Sequence, residues 1–329
     1  MKLIIQIPCL NEEATLGETL GALPREVPGF DRVEWLVVND GSTDRTVEVA
    51  RACGVHHIVD LPFNRGLAKA FVAGIERALE EGADVIVNTD ADNQYNAADI
   101  PALTAPILER RAHLVIGTRP IFQIDHFSRL KKVLQFLGSW VVRLTSGADV
   151  ADAPSGFRAI SREAAMRLNI FDSYTYTLES IIQAGRSGLR IVSVPIRVNG
   201  ETRPSRLISS VPRYIIRSSI SILRSMFVYR PGYMFFNLGL PPLILGSFLS
   251  LRWLFLYIDG TDRSHVPSLI VAAVAFIATF LCWLCALLGE LSRINRRLLE
   301  DTQYRLRRAR LDEIVSATAA ERKHPSLAD

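Results

Sequence analysis

Cysteine is scarce in this chain, with four spread thinly over 329 residues. Cys9 falls in a predicted strand and Cys53 near a predicted helix end. Cys282 and Cys285 form a CxxC, but inside an apolar helix with no second pair and no histidine nearby. Packing is therefore the sensible reading of that pair, not metal or redox chemistry. Phosphate-loop signatures are missing too. No GxGxxG follows the first strand and no GxxxxGK[ST] occurs anywhere, which weakens ordinary dinucleotide and P-loop readings. The opening MKLIIQIPCLNEE holds an apolar run too short for a signal peptide, so roughly the first 200 residues are expected to stay in the cytosol.

Charge is nearly absent from two long stretches. Residues 233–258 carry a single charge, Arg252, and residues 266–288 carry none. Each exceeds the roughly 20 residues that cross a bilayer core as a helix. Pro241 and Pro242 suggest a kink, which membrane helices tolerate. Arg252 lies close enough to its segment's end to snorkel to the headgroups, and Tyr233, Trp253 and Tyr257 sit where interfacial aromatics belong. Two membrane helices are preferred over two buried core helices. The connection 259–265 is short, so the pair forms a hairpin whose flanks share one side. Upstream stand Arg206, Arg213, Arg217, Arg224 and Arg230, and downstream a second run begins at Arg293 and ends at Arg310. By the positive-inside bias that side is the cytoplasm. The net charge of +4 is modest, and the basic residues around the spans fit anionic headgroups better than nucleic acid.

What is present is a large apolar fraction, 49%, enough to bury the core of an enzyme-sized domain. Strand and helix patterns alternate through the first part: strands at 3–8, 34–38, 57–60, 85–89 and 114–117, helices at 14–23, 44–53, 67–81 and 97–110. Such alternation predicts a mostly parallel sheet with helices on both faces. Further on, a basic amphipathic helix is expected at 126–146, a loop with a short strand at 152–160, a helix at 177–187 and a strand at 191–198. A helix lying along the membrane surface is expected at 208–229, and the last ~35 residues read as a charged cytosolic helix with a disordered end.

Short connections bring the turns after the strands to one sheet edge, where open α/β sheets bind ligands. Three of those turns are acidic: Leu10-Asn11-Glu12-Glu13, Asn39-Asp40-Gly41-Ser42 and Asp90-Ala91-Asp92-Asn93-Gln94. Alternation puts positions 90, 92 and 94 on one side of an extended segment, three oxygen donors suited to a hard divalent cation. The same residue types also crowd ordinary strand-to-helix turns. Acidic turns repel phosphates unless a cation is present, but they suit hydrogen bonding to a nucleobase and ribose. The combination argues for a nucleotide-sugar donor held through a metal.

At this point the chain resembles GT-A-fold glycosyltransferases of family 2, in the dolichyl- or polyprenyl-phosphate sugar synthase branch. The resemblance rests on IPCLNEEATL, VVNDGSTDRT, NRGLAKAFVAGIERA, DADNQ, IGTRP, DAPSGFRAISREA and VPIRVNGETRPSRL, with the two C-terminal apolar segments. It implies a Rossmann-like, mostly parallel sheet followed by a transmembrane hairpin. The implied layout is a catalytic domain at 1–207, a membrane-surface helix at 208–231, two spans at 232–289 and a cytosolic tail at 290–329. Carried over by position, Pro8, Leu10, Glu12, Asp40, Asp90 and Ala91 hold the nucleotide sugar, and Asp90, Asp92 and Gln94 bind Mg²⁺ or Mn²⁺. Arg119, Arg158, Arg203, Ser205 and Arg206 gather the acceptor's phosphate, with Asp92, Asp152 and Arg119 catalytic. Two departures stand out: Asn39-Asp40 where the family commonly has two aspartates, and Tyr95 where it often has His-Pro.

The activity so implied is inverting transfer of a hexose from a GDP-mannose-like or UDP-glucose-like donor to polyprenyl or dolichyl phosphate at the cytoplasmic face. A lipid phosphate is already largely dianionic at neutral pH and needs no strong general base. None of the six histidines lies in a matched motif. Membrane lipids are partners, nucleic acid is not, and self-association is compatible. Several roles keep alternatives: Asp152 as a turn residue before Pro154-Ser155-Gly156, Arg119 and Arg158 as ion-pair partners of the aspartates, Arg203 and Arg206 as headgroup anchors. Two other readings of the whole chain stay open: transfer to another lipid-linked acceptor, and a catalytically silent nucleotide-sugar-binding scaffold.

Overall fold

A computed structural model of the chain describes residues 1–120, 150–170, 176–199, 227, 230–260 and 266–323. The predicted helix at 126–146, all but residue 227 of the one at 208–229, and Arg203, Ser205 and Arg206 lie outside the described residues. The chain divides into two compact units, Met1–Ile215 with Glu300–Asp329, and Ile216–Leu299.

The first unit is built on a seven-stranded sheet. Its strands are β1 (Lys2–Cys9), β2 (Arg32–Asn39), β3 (His57–Asp60), β4 (Val85–Asn88), β5 (Leu114–Thr118), β6 (Arg158–Ser161) and β7 (Ile191–Pro195), in the order β3-β2-β1-β4-β6-β5-β7. All pairings are parallel except those of β6, which runs against both β4 and β5. The alternation read from sequence gave the parallel part.

Both faces of the sheet are covered, as the near-continuous apolar strands require. On one face Leu3, Ile5 and Ile7 pack with Leu16 and Leu20 of α1 (Leu16–Ala22) and with Ile100 and Leu103 of α4 (Ile100–Leu108), all fully buried. On the other lies α3 (Leu67–Glu80), whose Gly74 lets the helix close on the strands. A Cβ there would stand 2.6 Å from Gln6 Oε1 and 2.9 Å from a Val38 methyl. The remaining helices are α2 (Thr46–Ala52), α5 (Arg162–Arg167) and α6 (Tyr176–Arg186).

The second unit holds α7 (Pro231–Ile258) and the first part of α8 (Val266–Lys323), with mean hydropathies of 1.6 and 2.6 in their apolar stretches. Both are long and apolar enough to cross a membrane, and Pro241 and Pro242 sit inside α7 without ending it. Large apolar side chains such as Ile244, Phe248, Phe255, Val274, Ile277 and Phe280 point outward, as on a helix pair solvated by lipid. The two helices meet where Gly239 admits the Trp283 ring and where the Thr279 hydroxyl donates to the Gly239 carbonyl at 3.4 Å.

The charged tail is helical, as expected, but it is no separate helix: α8 continues to Lys323. No proline interrupts it after Pro267, and ion pairs one turn apart, Glu290–Arg293 and Asp301–Arg305, support the polar half. Within the first unit its end packs on α3 and α5. Leu311 is buried, and Arg307 donates to the Ala165, Met166 and Leu168 carbonyls at the C-terminus of α5. Arg310 pairs with Glu80 at 2.9 Å. A cation at a helix C-terminus satisfies carbonyls that the helix leaves unbonded.

Candidate active site

Because β1, β2, β4 and β5 run the same way, the turns that follow them share one edge. The reversed β6 starts there too, with Arg158 in register with Asn88 and Ile116. The predicted site residues that the structure describes therefore gather along this edge.

The turns after β1 and β2 are stitched together. Asp40 donates its backbone N–H to the Cys9 carbonyl at 2.9 Å, Asn11 accepts from Thr43 N at 2.8 Å, and Glu12 N donates to the Thr46 hydroxyl at 2.9 Å. The buried Asp40 carboxylate accepts the backbone amides of Arg65 and Gly66, at 2.8 and 2.9 Å, where α3 begins. Gly41, at φ +71°, is required here, since a Cβ would lie 2.5 Å from the Phe63 carbonyl carbon. Asn39, one of the two departures, bonds Asp60 at 2.7 Å and holds the turn through Ser42 N. An aspartate in its place would face Asp60's carboxylate.

Asp90 and Asp92 stand half-buried in the turn after β4, with Ala91 buried between them and its carbonyl taken by Thr19 at 2.8 Å. Asp92 accepts the Gln94 backbone N–H at 3.2 Å. Burial, then the like charge of Asp92, pushes the Asp90 carboxyl up to about 7, against opposing pulls from Arg119 and Arg158. Two crowded carboxylates disfavour each other's charge, and a hard cation is the kind of partner that relieves such a pair. Among the described residues no third Asp, Glu, His or Cys joins the two aspartates, so the protein side of a divalent-ion site here would be Asp90 and Asp92 with the Gln94 amide. Gln94 lies half-buried in the same turn.

On the far side of the edge the carboxylate is matched. Asp152, fully buried, accepts from Arg119 Nε at 2.7 Å and Nη2 at 3.0 Å, a bidentate pair. The Arg119 side chain keeps 17% of its surface exposed, whereas that of Asp152 keeps none. Burial works against the Arg119 charge, but the neighbouring Tyr95 and Asp152 outweigh it and keep the guanidinium protonated. Asp152 is a turn residue, its carbonyl accepting Ser155 N at 3.2 Å, and Arg119 is an ion-pair partner of an aspartate, as the alternatives for each allowed.

Arg158 differs from Arg119. It is fully buried, and its guanidinium donates to the Ser155 carbonyl, to the Thr177 carbonyl at 3.2 Å and to the Ser180 hydroxyl at 2.6 Å. Placed this way it braces the 152–156 turn against α6 and presents no surface to an acceptor. Sequence reasoning gave no role in the site to three further residues, and noted Tyr95 among them only as a departure. Asn88 donates to the Gly156 carbonyl and the Tyr176 hydroxyl, both at 2.9 Å; Tyr95 accepts from Gly156 N at 3.0 Å. Tyr176 in turn stacks on Phe71, with ring centroids 4.0 Å apart.

The model of glycosyl transferase family 2 matches residues 4–173, a span that takes in all of these turns. The chain belongs to glycosyl transferase family 2. Among its relatives, the undecaprenyl-phosphate mannosyltransferase of Micrococcus luteus is 32% identical over 62% of this chain and 88% of its own. The polyprenol monophosphomannose synthase of Mycolicibacterium smegmatis is 28% identical over 59% of this chain and 76% of its own. Among solved structures, glucosyl-3-phosphoglycerate synthase from Mycobacterium tuberculosis, in complex with phosphoglyceric acid, aligns with a TM-score of 0.52 at 25% identity. That alignment covers 67% of this chain and 79% of the synthase. The family resemblance carried by the motifs is thereby borne out, and so is the GT-A-like, mostly parallel sheet with helices on both faces.

Proposed function

We propose that this glycosyltransferase is anchored in a membrane by α7 and α8 and transfers a hexose from a nucleoside-diphosphate sugar to a polyprenyl phosphate at the cytoplasmic face, with inversion. The observation that carries the reading is a single sheet edge holding the Asp90–Asp92 turn at one end and the Asp152–Arg119 pair at the other, in a chain with two apolar helices. The names of the two relatives support a lipid phosphate as acceptor.

The chemistry asks little of a general base. An oxygen of the acceptor phosphate attacks the anomeric carbon, that carbon's bond to the diphosphate oxygen breaks, and an α-linked donor gives a β-linked lipid-phosphate sugar. A divalent ion, when bound, neutralises the leaving diphosphate. Asp90 and Asp92, with Gln94, would hold it. The turns at Pro8, Leu10, Glu12 and Asp40 bind and orient the nucleoside. Arg119, fixed in angle by Asp152, meets the acceptor's phosphate and lines it up behind the anomeric carbon, an alignment worth several kcal/mol in such reactions. Arg203, Ser205 and Arg206, outside the described residues, are read from sequence as further ligands of that phosphate.

The test is to incubate the purified full chain with a panel of nucleoside-diphosphate hexoses, Mn²⁺ or Mg²⁺, and a short polyprenyl phosphate. One donor is expected to give an alkali-stable lipid-phosphate sugar, and Arg203→Ala or Arg206→Ala to raise the KM for the lipid with the donor's KM unchanged. The loss is about 1.5–3 kcal/mol, the range for hydrogen bonds to charged groups. Transfer to diacylglycerol in place of the phosphate, or no transfer from any donor, overturns the proposal.

A further inference from the structure

Tyr95 has more to do than fill the core. Its ring is buried and stacks on Phe157, with centroids 5.1 Å apart and planes 14° from parallel. Its backbone forms an isolated bridge with Val198. Its hydroxyl reaches across the sheet edge to accept the Gly156 N–H at 3.0 Å. From the other side of the acidic turn, the Asn88 side-chain nitrogen donates to the Gly156 carbonyl at 2.9 Å. A carbonyl can only accept, so this contact fixes which way the Asn88 amide faces, and its oxygen is left to take Gln6 Nε2 at 2.9 Å. Both peptide groups of Gly156 are thus gripped by residues that bracket Asp90 and Asp92 in sequence.

The grip leaves no slack. A Cβ at position 156 would stand 2.9 and 3.0 Å from the two Asp90 carboxylate oxygens and 3.1 Å from the Tyr176 hydroxyl. The Asp90 carboxylate therefore lies directly against the Gly156 backbone. Four residues upstream in the same closed turn is Asp152, which holds Arg119 bidentately. The path from the acidic turn to the acceptor-side arginine runs through Gly156, and the Tyr95 hydroxyl and the Asn88 amide are what pin it.

We propose that Tyr95 is a positioning residue, clamping the 152–156 turn onto the 90–94 turn and so fixing the spacing between the Asp90–Asp92 carboxylates and the Asp152–Arg119 pair. This rests on the reading of those two groups as donor and acceptor ends of one transfer reaction. Tyr95→Phe keeps the ring stacked on Phe157 and removes only the acceptor of the Gly156 N–H, freeing the turn to shift. A misplacement of about 1 Å at a reacting centre costs on the order of 100-fold in rate.

The experiment uses the full chain in lipid nanodiscs and compares wild type, Tyr95→Phe, Asp152→Asn and the double variant. For Tyr95→Phe the expected result is a 10- to 100-fold lower kcat, a donor KM unchanged within about 3-fold, and unchanged binding of Mn²⁺ alone by electron paramagnetic resonance. In the Asp152→Asn background the same substitution is expected to cost less than about 3-fold, because residues acting as one unit are not additive. Equal losses in both backgrounds would mean a general structural effect and overturn the proposal. So would a Mn²⁺ affinity weakened ten-fold or more, which would move Tyr95 into the ion's own site. A wild type that transfers no donor sinks the transferase reading itself, whereas an active wild type matched by Tyr95→Phe sinks only the clamp.

Discussion

The two ends of the sheet edge handle negative charge in opposite ways. After β1 and β2, and again after β4, carboxylates meet backbone amides or one another: Asp40 takes two N–H groups at the start of α3, and Asp90 sits against Asp92. After β5 the carboxylate meets an arginine, Asp152 with Arg119 in a bidentate pair. In the first arrangement carboxylates cap backbone amides or crowd one another, and in the second a carboxylate is held bidentately by a guanidinium. In the proposed reaction a metal-bridged diphosphate and an anionic acceptor have opposite needs, and one edge would serve both. Substitutions and titrations break or sharpen this contrast, beginning with the most severe.

Removing a carboxylate from the acidic turn should stop the reaction. Asp92→Ala is expected to lower turnover by about 1,000-fold or more, since an ion at a developing negative charge supplies several kcal/mol. Circular dichroism and membrane association should be unchanged, because Asp92 is half-buried in a turn and not in the core. EDTA should abolish wild-type transfer, with Mn²⁺ or Mg²⁺ restoring it. Full activity in EDTA would leave the two carboxylates with no role in catalysis.

The matched side can be split by its two arginines. Arg158→Ala deletes donors to the Ser155 and Thr177 carbonyls and the Ser180 hydroxyl in a fully buried place. Orphaned buried acceptors cost about 1–3 kcal/mol each, so a stability loss of roughly 3 kcal/mol or more is expected, read as a fall in Tm. Arg119→Lys keeps the charge and gives up the fork, so it should weaken acceptor use with a smaller change in Tm. An Arg158→Ala protein of normal Tm with a raised acceptor KM would instead make Arg158 a phosphate ligand.

That contrast also marks where the sequence stopped being readable. The parallel strands, the helices on both faces and the apolar pair at the C-terminal end follow from periodicity and length, though the second apolar segment, read as 266–288, continues as helix to Lys323. The acidic turns were legible because strand alternation alone brings them to one edge. Arg158 was not, because its burial depends on β6 running antiparallel between β4 and β5, a pairing that no local pattern announces. Tyr95 showed itself only as a departure from the family's usual residues. Its partner Gly156 is 61 positions away, and nothing near either residue points to the other. The docked end of α8 was hidden for the same reason: Arg307 and Arg310 look like any solvated charge run until α5 and α3 are placed beneath them.

The smallest expected effect is also the most specific to the acidic end. Asp90 titrates near 7 because burial, and then Asp92, disfavour its charge. A cation needs the carboxylate, so binding must expel a proton whenever Asp90 carries one. Above about pH 7.5 the affinity for Mn²⁺ should be nearly flat. Below about pH 7 it should weaken toward ten-fold per pH unit, or about 1.4 kcal/mol. Stability should move the other way in metal-free protein. An acid whose folded pKa lies above its unfolded value, about 3.9 for Asp, stabilises the fold below that lower value and loses the contribution as pH rises through the upper one. The metal-free Tm should therefore decline between about pH 4 and pH 7, and Mn²⁺ should recover it at the alkaline end only. Asp92→Asn removes the neighbouring like charge and should shift both transitions to lower pH, while Asp152→Asn, on the arginine-matched side, should shift them little. If Mn²⁺ affinity proves flat from pH 5.5 to 8, Asp90 is not among the ion's ligands and the two ends of the edge differ less than their charges suggest.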